Sequence, residues 1–369
     1  MDAAIFGAGI AGLMTAITLQ GQGRRCRVYE RLRQGHETGM GFILLPEAAA
    51  CLERFGVHLA GAFSGVRLHR YRCRNAASEI VHEQPLPTGT LSMRRRDLIA
   101  ALLRALPENE TLTFDAELSR LEFDENNRVT CARLSSGEPI QADLYIAADG
   151  IRSHARQALF PDWPAEQAQV LEVVGLARCE NTIRWAGSDF NKFHATGGGI
   201  ALGVLPVDRE HLVWYLQFDA RRFPSPRENG SATPEAKRAF VETLVRGWAA
   251  PIPHLLAITD FSRVYLWRPM DTDLVPHFYR GNLVLVGDAA HPFLPFTSQG
   301  VSAAIADAVA LAGAMHGKAM NSEVELAAAL ARYSSERREQ CAPYIAKGRA
   351  LTRHFLTPQV LSGALLPVA

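Results

Sequence analysis

Lysine is nearly missing from this chain. Only Lys192, Lys237, Lys318 and Lys347 interrupt an otherwise arginine-based set of 39 basic residues. Charge of either sign is not in excess: the formal net charge is +1, so no bulk attraction to nucleic acid or anionic lipid is implied. The six cysteines (Cys26, Cys51, Cys73, Cys131, Cys179, Cys341) stand far apart with no C-x-x-C pair. That argues against a zinc site or a disulfide framework and for a reducing compartment, the cytoplasm; no metal is expected. No run of about 18 apolar residues is present to span a membrane. The first apolar run begins at Ala3, which leaves no room for a signal peptide. There is no internal repeat and no low-complexity tract. What remains is ordinary globular composition, 48% hydrophobic and 21% charged over 369 residues, enough for two domains or one composite one.

The most informative stretch is the first thirty residues. Ala3-Ala4-Ile5-Phe6 has the length of a buried parallel strand and runs into Gly7-Ala8-Gly9-Ile10-Ala11-Gly12. Leu13, Ala16, Ile17 and Leu19 then recur at helical spacing until Gly21 and Gly23. A second apolar strand, Cys26 to Tyr29, ends on Glu30. This is a βαβ unit carrying G-x-G-x-x-G with an acid at the tip of its second strand. Gly7 permits the tight turn, Gly9 lets a pyrophosphate approach the backbone, and Gly12 permits close packing of helix on strand. The helix N-terminus favours phosphate, and Glu30 stands where a carboxylate accepts hydrogen bonds from an adenosine ribose. The unit predicts dinucleotide binding and does not separate NAD from FAD.

Further along, Glu47 to Phe55 reads as a short helix, and Val66 to His82 as two strands around an Asn75-centred turn. Ser92 to Leu98 leads into a helix that Pro107 stops. Its arginines could bind phosphate, but on charge pattern alone they read as a solvated face. Leu144-Tyr145-Ile146-Ala147-Ala148-Asp149-Gly150 is a buried strand ending in Asp-Gly, with Ser153 at a helix start. From Val170 to Trp267 β-type alternation dominates, including a strand at Asn181–Trp185, and one helix is expected over Pro234–Trp248. Arg221 to Thr233 reads as a surface loop. Gly281 to Val286 is another buried strand, ending in Gly287-Asp288. A proline-rich loop from Pro292 and a long small-residue helix, Val301 to Met315, follow. From Glu323 the chain reads as helical, with a break at Pro343 and a weakly amphipathic tail from Phe355 that packs on the protein rather than anchoring in a membrane. The fold class is α/β: a nucleotide-binding domain with an inserted mixed, mostly antiparallel sheet domain and C-terminal helices. The boundaries are 1–65, 91–169 and 268–369 for the first, and 66–90 and 170–267 for the second.

GAGIAG with Glu30, then AADGIRSHAR, then VGDAAHPFLPFTSQGVSAAIADA, in this order and spacing, resemble the class A FAD-dependent monooxygenases, the family of p-hydroxybenzoate and salicylate hydroxylases. The resemblance covers essentially the whole chain. It implies a Rossmann-like FAD-binding domain with non-covalent FAD, its pyrophosphate held by Gly7, Gly9 and Gly12 and its adenosine end by Glu30 and Arg31. Arg95 falls at the family's R-x-x-L arginine, which lifts it above the solvated-face reading. Leu118 would touch adenine through its backbone, Asp149 and Gly150 would meet FAD and reduced nicotinamide, and Asp288 the ribityl and pyrophosphate region. Gly300 and Val301 would offer N–H groups to the pyrimidine end of the flavin, where reduction places negative charge. Ser298, Ser302, Glu47 and Ala147 depart from the residues common in the family; none removes a flavin contact.

The implied activity is NAD(P)H-dependent hydroxylation or epoxidation of an aromatic or hydrophobic small molecule by O2, through a flavin C4a-hydroperoxide. FAD carries the chemistry, so no side-chain nucleophile is expected. His291 reads as a structural hydrogen-bonder ahead of a proton carrier, and Pro295 as a loop-shaping residue. Candidate substrate contacts are Trp185, His194, Tyr215, Gln217, Phe293 and Phe296. Alternatives are an oxygen-independent flavin reductase and a non-catalytic FAD-binding protein. Halogenation is disfavoured, because no lysine precedes Lys192 and no W-x-W occurs. A monomer or homodimer is expected, with no nucleic-acid partner.

Overall fold

The computed structural model of the protein describes residues 1–34, 40–59, 65–107, 111–179, 186–225, 232–317, 320 and 322–357. Trp185, the strand expected at Asn181–Trp185, the middle of the 221–233 loop and most of the C-terminal tail lie outside these. Two large sheets organise the molecule. In chain order their strands are β1 (Asp2–Phe6), β2 (Arg25–Tyr29), β3 (Arg70–Asn75), β4 (Ile80–Pro85), β5 (Thr111–Thr113), β6 (Leu144–Ala147), β7 (Val170–Arg178), β8 (Asp189–His194), β9 (Ile200–Pro206), β10 (His211–Asp219), β11 (Tyr265–Trp267), β12 (Tyr279–Arg280) and β13 (Leu283–Leu285).

The first sheet has the order β12-β13-β6-β1-β2-β5. All its pairings are parallel except the β12 edge. Of its inner strands, β1, β6 and β13 are short, mainly apolar runs because both faces are covered. Helix α1 (Ile10–Gln20) is buried almost all round, wedged between this sheet and helix α3 (Gly300–Met315), and Thr18 Oγ1 reaches across to the Ala308 carbonyl. The small residues of both helices permit that approach. Between them in sequence comes α2 (Arg95–Ala105), packed by Leu98, Ile99, Ala101 and Leu102.

The second sheet has the order β11-β7-β10-β9-β8-β3-β4 and is antiparallel except for β8 against β3. This is the mixed, mostly antiparallel sheet that the alternation predicts. Period-2 alternation splits its side chains. Leu171, Val173, Leu202, Val204, Trp214 and Leu216 pack on one face against the helices Pro234–Leu244 and Ile252–Ala257. Glu172, Tyr215, Gln217, Ala201, Gly203, Lys192 and His194 alternate with them on the other face.

Two local expectations are corrected. The helix expected over Pro234–Trp248 stops at Leu244, and Gly247 takes φ +78, a conformation that ends helices. The break expected at Pro343 does not occur: α4 runs unbroken over Glu323–Leu356. A mid-helix proline costs about 3 kcal/mol. Buried residues on both sides of it, Leu330, Tyr333 and Cys341 before and Leu351 and Phe355 after, offset that cost.

Candidate active site

The C-terminal ends of β1 and β6 open onto a groove. Gly7 has φ +109, and a Cβ there would lie 2.2 Å from the Ala148 carbonyl oxygen. A Cβ on Gly12 would lie 1.9 Å from the Gly7 oxygen. These two glycines let strand, helix and the loop after β6 touch. Gly9 differs: a Cβ would meet nothing but Arg95 Nη2, at 3.7 Å. Its face is open, as a phosphate-binding glycine requires. Glu30 accepts hydrogen bonds from the backbone N–H groups of Ala8 (2.7 Å) and Leu32 (2.9 Å), one on each oxygen. A carboxylate has about four lone-pair sites, so capacity remains for ribose hydroxyls.

Two cavities meet at Gly9, Arg95, Ala148, Gly150 and Trp267. One, of about 500 Å³, is lined by Gly7, Glu30, Arg31, Leu118 and Asp149 among others. The other, of about 440 Å³, is lined by Asp288, Gly300 and Val301 and continues to the second sheet. Asp149 spends one oxygen on the Ala155 N–H (3.2 Å), while its buried Oδ1 has no partner among the described residues. Arg156 donates to the Asp288 and Ala289 carbonyls, both at 2.9 Å, and so ties the Asp-Gly loop to the Gly-Asp loop.

A buried hub fixes the Gly-Asp loop from behind. Asp307, on α3, accepts from the Gly287 N–H (2.6 Å), from His291 Nε2 (2.7 Å) and from Arg337 Nε of α4 (2.6 Å). Burial alone would raise the Asp307 carboxyl, but the His291 and Arg337 cations outweigh it and hold it below the usual carboxylate range. Burial likewise pulls His291 down, and the Asp307 carboxylate overrides it, pushing the imidazole up to about 10. His291 is therefore a held cation. Its place in this network supports the structural reading over that of a proton carrier. His291, Asp307 and Cys341 offer ligand atoms within 4.8 Å of one another, but Asp307 already carries two cationic partners.

The chain matches the FAD binding domain family over residues 1–345. It belongs to the class A FAD-dependent monooxygenases. The aurachin C monooxygenase/isomerase of Stigmatella aurantiaca is 27% identical over 348 residues, covering 93% of this chain and 86% of that protein. The 3-amino-4-hydroxybenzoate 2-monooxygenase PtmB3 of Streptomyces platensis is 29% identical over 330 residues, covering 84% and 78%. In three dimensions the chain shares the fold of Klebsiella pneumoniae HpxO, solved with FAD and uric acid: the TM-score is 0.82 at 24% identity, over 96% of this chain and 89% of that one. FAD is the cofactor of this monooxygenase. The groove fits it: among the described residues, Gly9 and Gly300 present faces free of other atoms but for the Arg95 guanidinium, and Asp149 Oδ1 lacks a partner. Among the described residues, no helix is long and apolar enough to cross a membrane.

Beyond Gly300 and Val301, the second cavity of the monooxygenase becomes a chamber under the second sheet. Tyr215, Tyr265, Trp267, Phe190 and Glu172 line it from the sheet, and Phe293, Leu294, Pro295 and Thr297 from the loop before α3. The Tyr215 ring lies across Gly203, where a Cβ would come within 2.2 Å of Cζ. Ser298, in that loop, takes the left-handed conformation (φ +53), which favours glycine.

The expected residues divide in this frame. Gly7, Gly9, Glu30, Arg31, Arg95, Leu118, Asp149, Gly150, Asp288, Gly300 and Val301 line the groove. Gly12 lies beneath it, in the helix–strand contact. Of the substrate candidates, Tyr215 and Phe293 line the chamber, as does Pro295. Gln217 stands behind, donating to Glu172 at 2.7 Å. Phe296 packs on Phe355 at 5.4 Å, and His194, half-buried with its Nε2 enclosed, is not among the lining residues; desolvation pushes it down to about 3. Trp185 is outside the described residues. Sequence reasoning missed Glu172, Tyr265, Trp267 and Asp307. Glu172 had a signal: it is the one charge in Val170-Leu171-Glu172-Val173-Val174.

Proposed function

We propose that this monooxygenase hydroxylates, or epoxidises, an aromatic or hydrophobic small molecule, with NAD(P)H as electron donor and O2 as oxygen source. The observation that carries this reading is the aromatic-walled chamber that continues directly from the Gly300–Val301 end of the groove. When bound, the flavin supplies two-electron reduction by NAD(P)H and activation of O2 for transfer of one oxygen atom.

The chain's own residues do the rest. Gly7, Gly9 and Arg95 hold the pyrophosphate, Glu30 and Arg31 the adenosine, with Leu118 beside it. Asp149, Gly150 and Asp288 hold the middle of the cofactor. Gly300 and Val301, at the N-terminus of α3, line the cavity, and their N–H groups would meet the flavin ring, where a helix N-terminus favours the negative charge of the reduced state. Pro295 and Phe293 shape the loop that closes the chamber, and the aromatic walls exclude water from the transfer. In this reading residues 1–65, 91–169 and 268–369 bind FAD, and 66–90 with 170–267 roof the substrate.

The test mixes the yellow holoenzyme with NADH or NADPH under air and an aromatic panel. Oxygen uptake that rises with one compound and yields a product one oxygen atom heavier is expected. Flavin reduction without an oxygenated product from any compound points instead to reductase chemistry, and a colourless protein that FAD does not reconstitute refutes the reading.

A further inference from the structure

The chamber carries an ionisable group that the flavin chemistry does not use. Glu172, on β7, is 5% exposed, and its side chain lines the cavity from the sheet side. Its cross-strand neighbours are Gln217 on β10 and Trp267 on β11. The Gln217 amide donates to Oε1 at 2.7 Å, and among the described residues no hydrogen bond reaches Oε2. The Gln217 carbonyl oxygen is itself buried and has no partner among the described residues. Among the described residues, a buried amide oxygen with no donor therefore stands beside a carboxylate oxygen that takes no hydrogen bond, at the sheet end of an aromatic box. Buried acceptors in native proteins find partners, so the missing donor is assigned to the ligand.

The charges around Glu172 point the same way. Tyr215 and Tyr265 face it from β10 and β11, and burial raises the phenols of both, so they remain neutral. Lys192 and His194 on β8 and Cys73 on β3 stand further along the same face. Lys192 is the one cation there, but its Nζ lies over the rings of Tyr215 (5.8 Å) and Phe296 (5.3 Å) and the residue is not part of the chamber lining. Arg95 and Asp288 face the cavity from the flavin end, where the cofactor's phosphates belong. The charged group a substrate ring would meet under the sheet is a carboxylate.

We propose that Glu172 is the specificity-determining residue of the chamber: it selects aromatic substrates carrying a hydrogen-bond-donating or cationic nitrogen and turns away aryl carboxylates. This rests on the aromatic reading above. A donor on the ring satisfies Oε2 and gains a charge-assisted bond, whereas a carboxylate meets like charge in a desolvated space. The preference depends on pH. Burial, opposed by the Gln217 hydrogen bond and by Lys192, pushes the Glu172 carboxyl up to about 7. The negative charge, and with it the preference, is lost as pH falls through that value.

The experiment titrates the oxidised holoenzyme with benzylamine, ethylbenzene and phenylacetate, three single rings with side chains of similar size that are cationic, neutral and anionic. Binding is read from perturbation of the flavin visible spectrum, without turnover. The affinity ratio of benzylamine to ethylbenzene should fall about tenfold in Glu172→Gln, the size expected for one hydrogen bond to a charged group. Phenylacetate should gain. Glu172→Gln keeps the Oε1 that Gln217 engages, and FAD content and melting temperature report its fold. Glu172→Asp, which keeps the charge, should retain part of the preference. In the wild type, benzylamine alone should weaken below pH of about 7, an arm that needs no variant. If ethylbenzene binds but the ratio does not move in Glu172→Gln, the assignment of Glu172 falls and the aromatic reading stands. If none of the three perturbs the wild-type flavin, both fall.

Discussion

Asp307 touches neither groove nor chamber, yet its removal should disable both. Its carboxylate accepts from a backbone N–H, an imidazolium and a guanidinium, all inside the protein. In Asp307→Asn one oxygen remains an acceptor and an amide group replaces the other. That amide faces either the Gly287 and His291 donors, losing two bonds, or the Arg337 donor, losing one, and in both orientations His291 and Arg337 lose their counter-charge. Breaking a buried pair on one side costs about 3–5 kcal/mol. For a chain of this size that corresponds to a melting temperature lower by roughly 4–6 °C. Because Gly287 is released beside Asp288, FAD should also dissociate more readily. Thermal unfolding of apo and holo protein, with flavin fluorescence as the measure of release, checks both effects. Adding Arg337→Met removes one orphaned cation and should recover part of the loss. The pH dependence has a definite sign. His291 is raised from 6.5 to about 10, so its contribution is full below 6.5 and disappears as pH rises through 10. Asp307 is lowered from 3.8, so its contribution is present above 3.8 and disappears as pH falls through the depressed value. Wild-type stability should therefore decline at both ends, and Asp307→Asn should show a flatter profile. A variant with wild-type melting temperature and FAD retention would refute the hub.

Two further predictions separate the roles of glycines. Gly9→Ala places its Cβ only near the flexible Arg95 tip, so the apo protein should keep its stability to within about 1 kcal/mol while FAD affinity falls at least tenfold; Gly12→Ala drives a Cβ into the Gly7 oxygen and should destabilise the apo protein itself by about 1–3 kcal/mol or more. Gly203→Ala collides with the Tyr215 ring and should displace it into the chamber, so that ligand-induced flavin perturbation changes while FAD content does not; an unaltered ligand profile would show that Tyr215 does not form the chamber wall.

The groove was legible because close approaches of strand, helix and loop constrain the backbone, and backbone constraints select residue types. Gly7 at φ +109, an open Gly9 and an acid at the end of β2 leave marks in sequence at fixed spacing. The distinction between Gly9 and Gly12 was not legible, because both are glycines and only the surroundings show that one faces the open groove and the other a carbonyl. The course of α4 through Pro343 was not legible either. A local rule predicts a break there, while burial gathered from distant elements overrides it.

The chamber was least legible, and the reason is geometric. Its lining comes from alternate positions of strands whose register is set by pairings far apart in sequence: Glu172 meets Gln217 across 45 residues and Trp267 across 95. Aromatic residues such as His194's neighbour Phe193 or the distant Trp214 pack in the core behind the sheet, so residue type alone cannot separate wall from core. A charge is different. An apolar strand tolerates a buried carboxylate only where something answers it. Gln217 answers one oxygen of Glu172, Lys192 acts on its charge without a hydrogen bond, and among the described residues no hydrogen bond reaches the other oxygen. In a strand such as β7, the residue that breaks the apolar pattern is therefore a better guide to the ligand than the aromatics that conform to it.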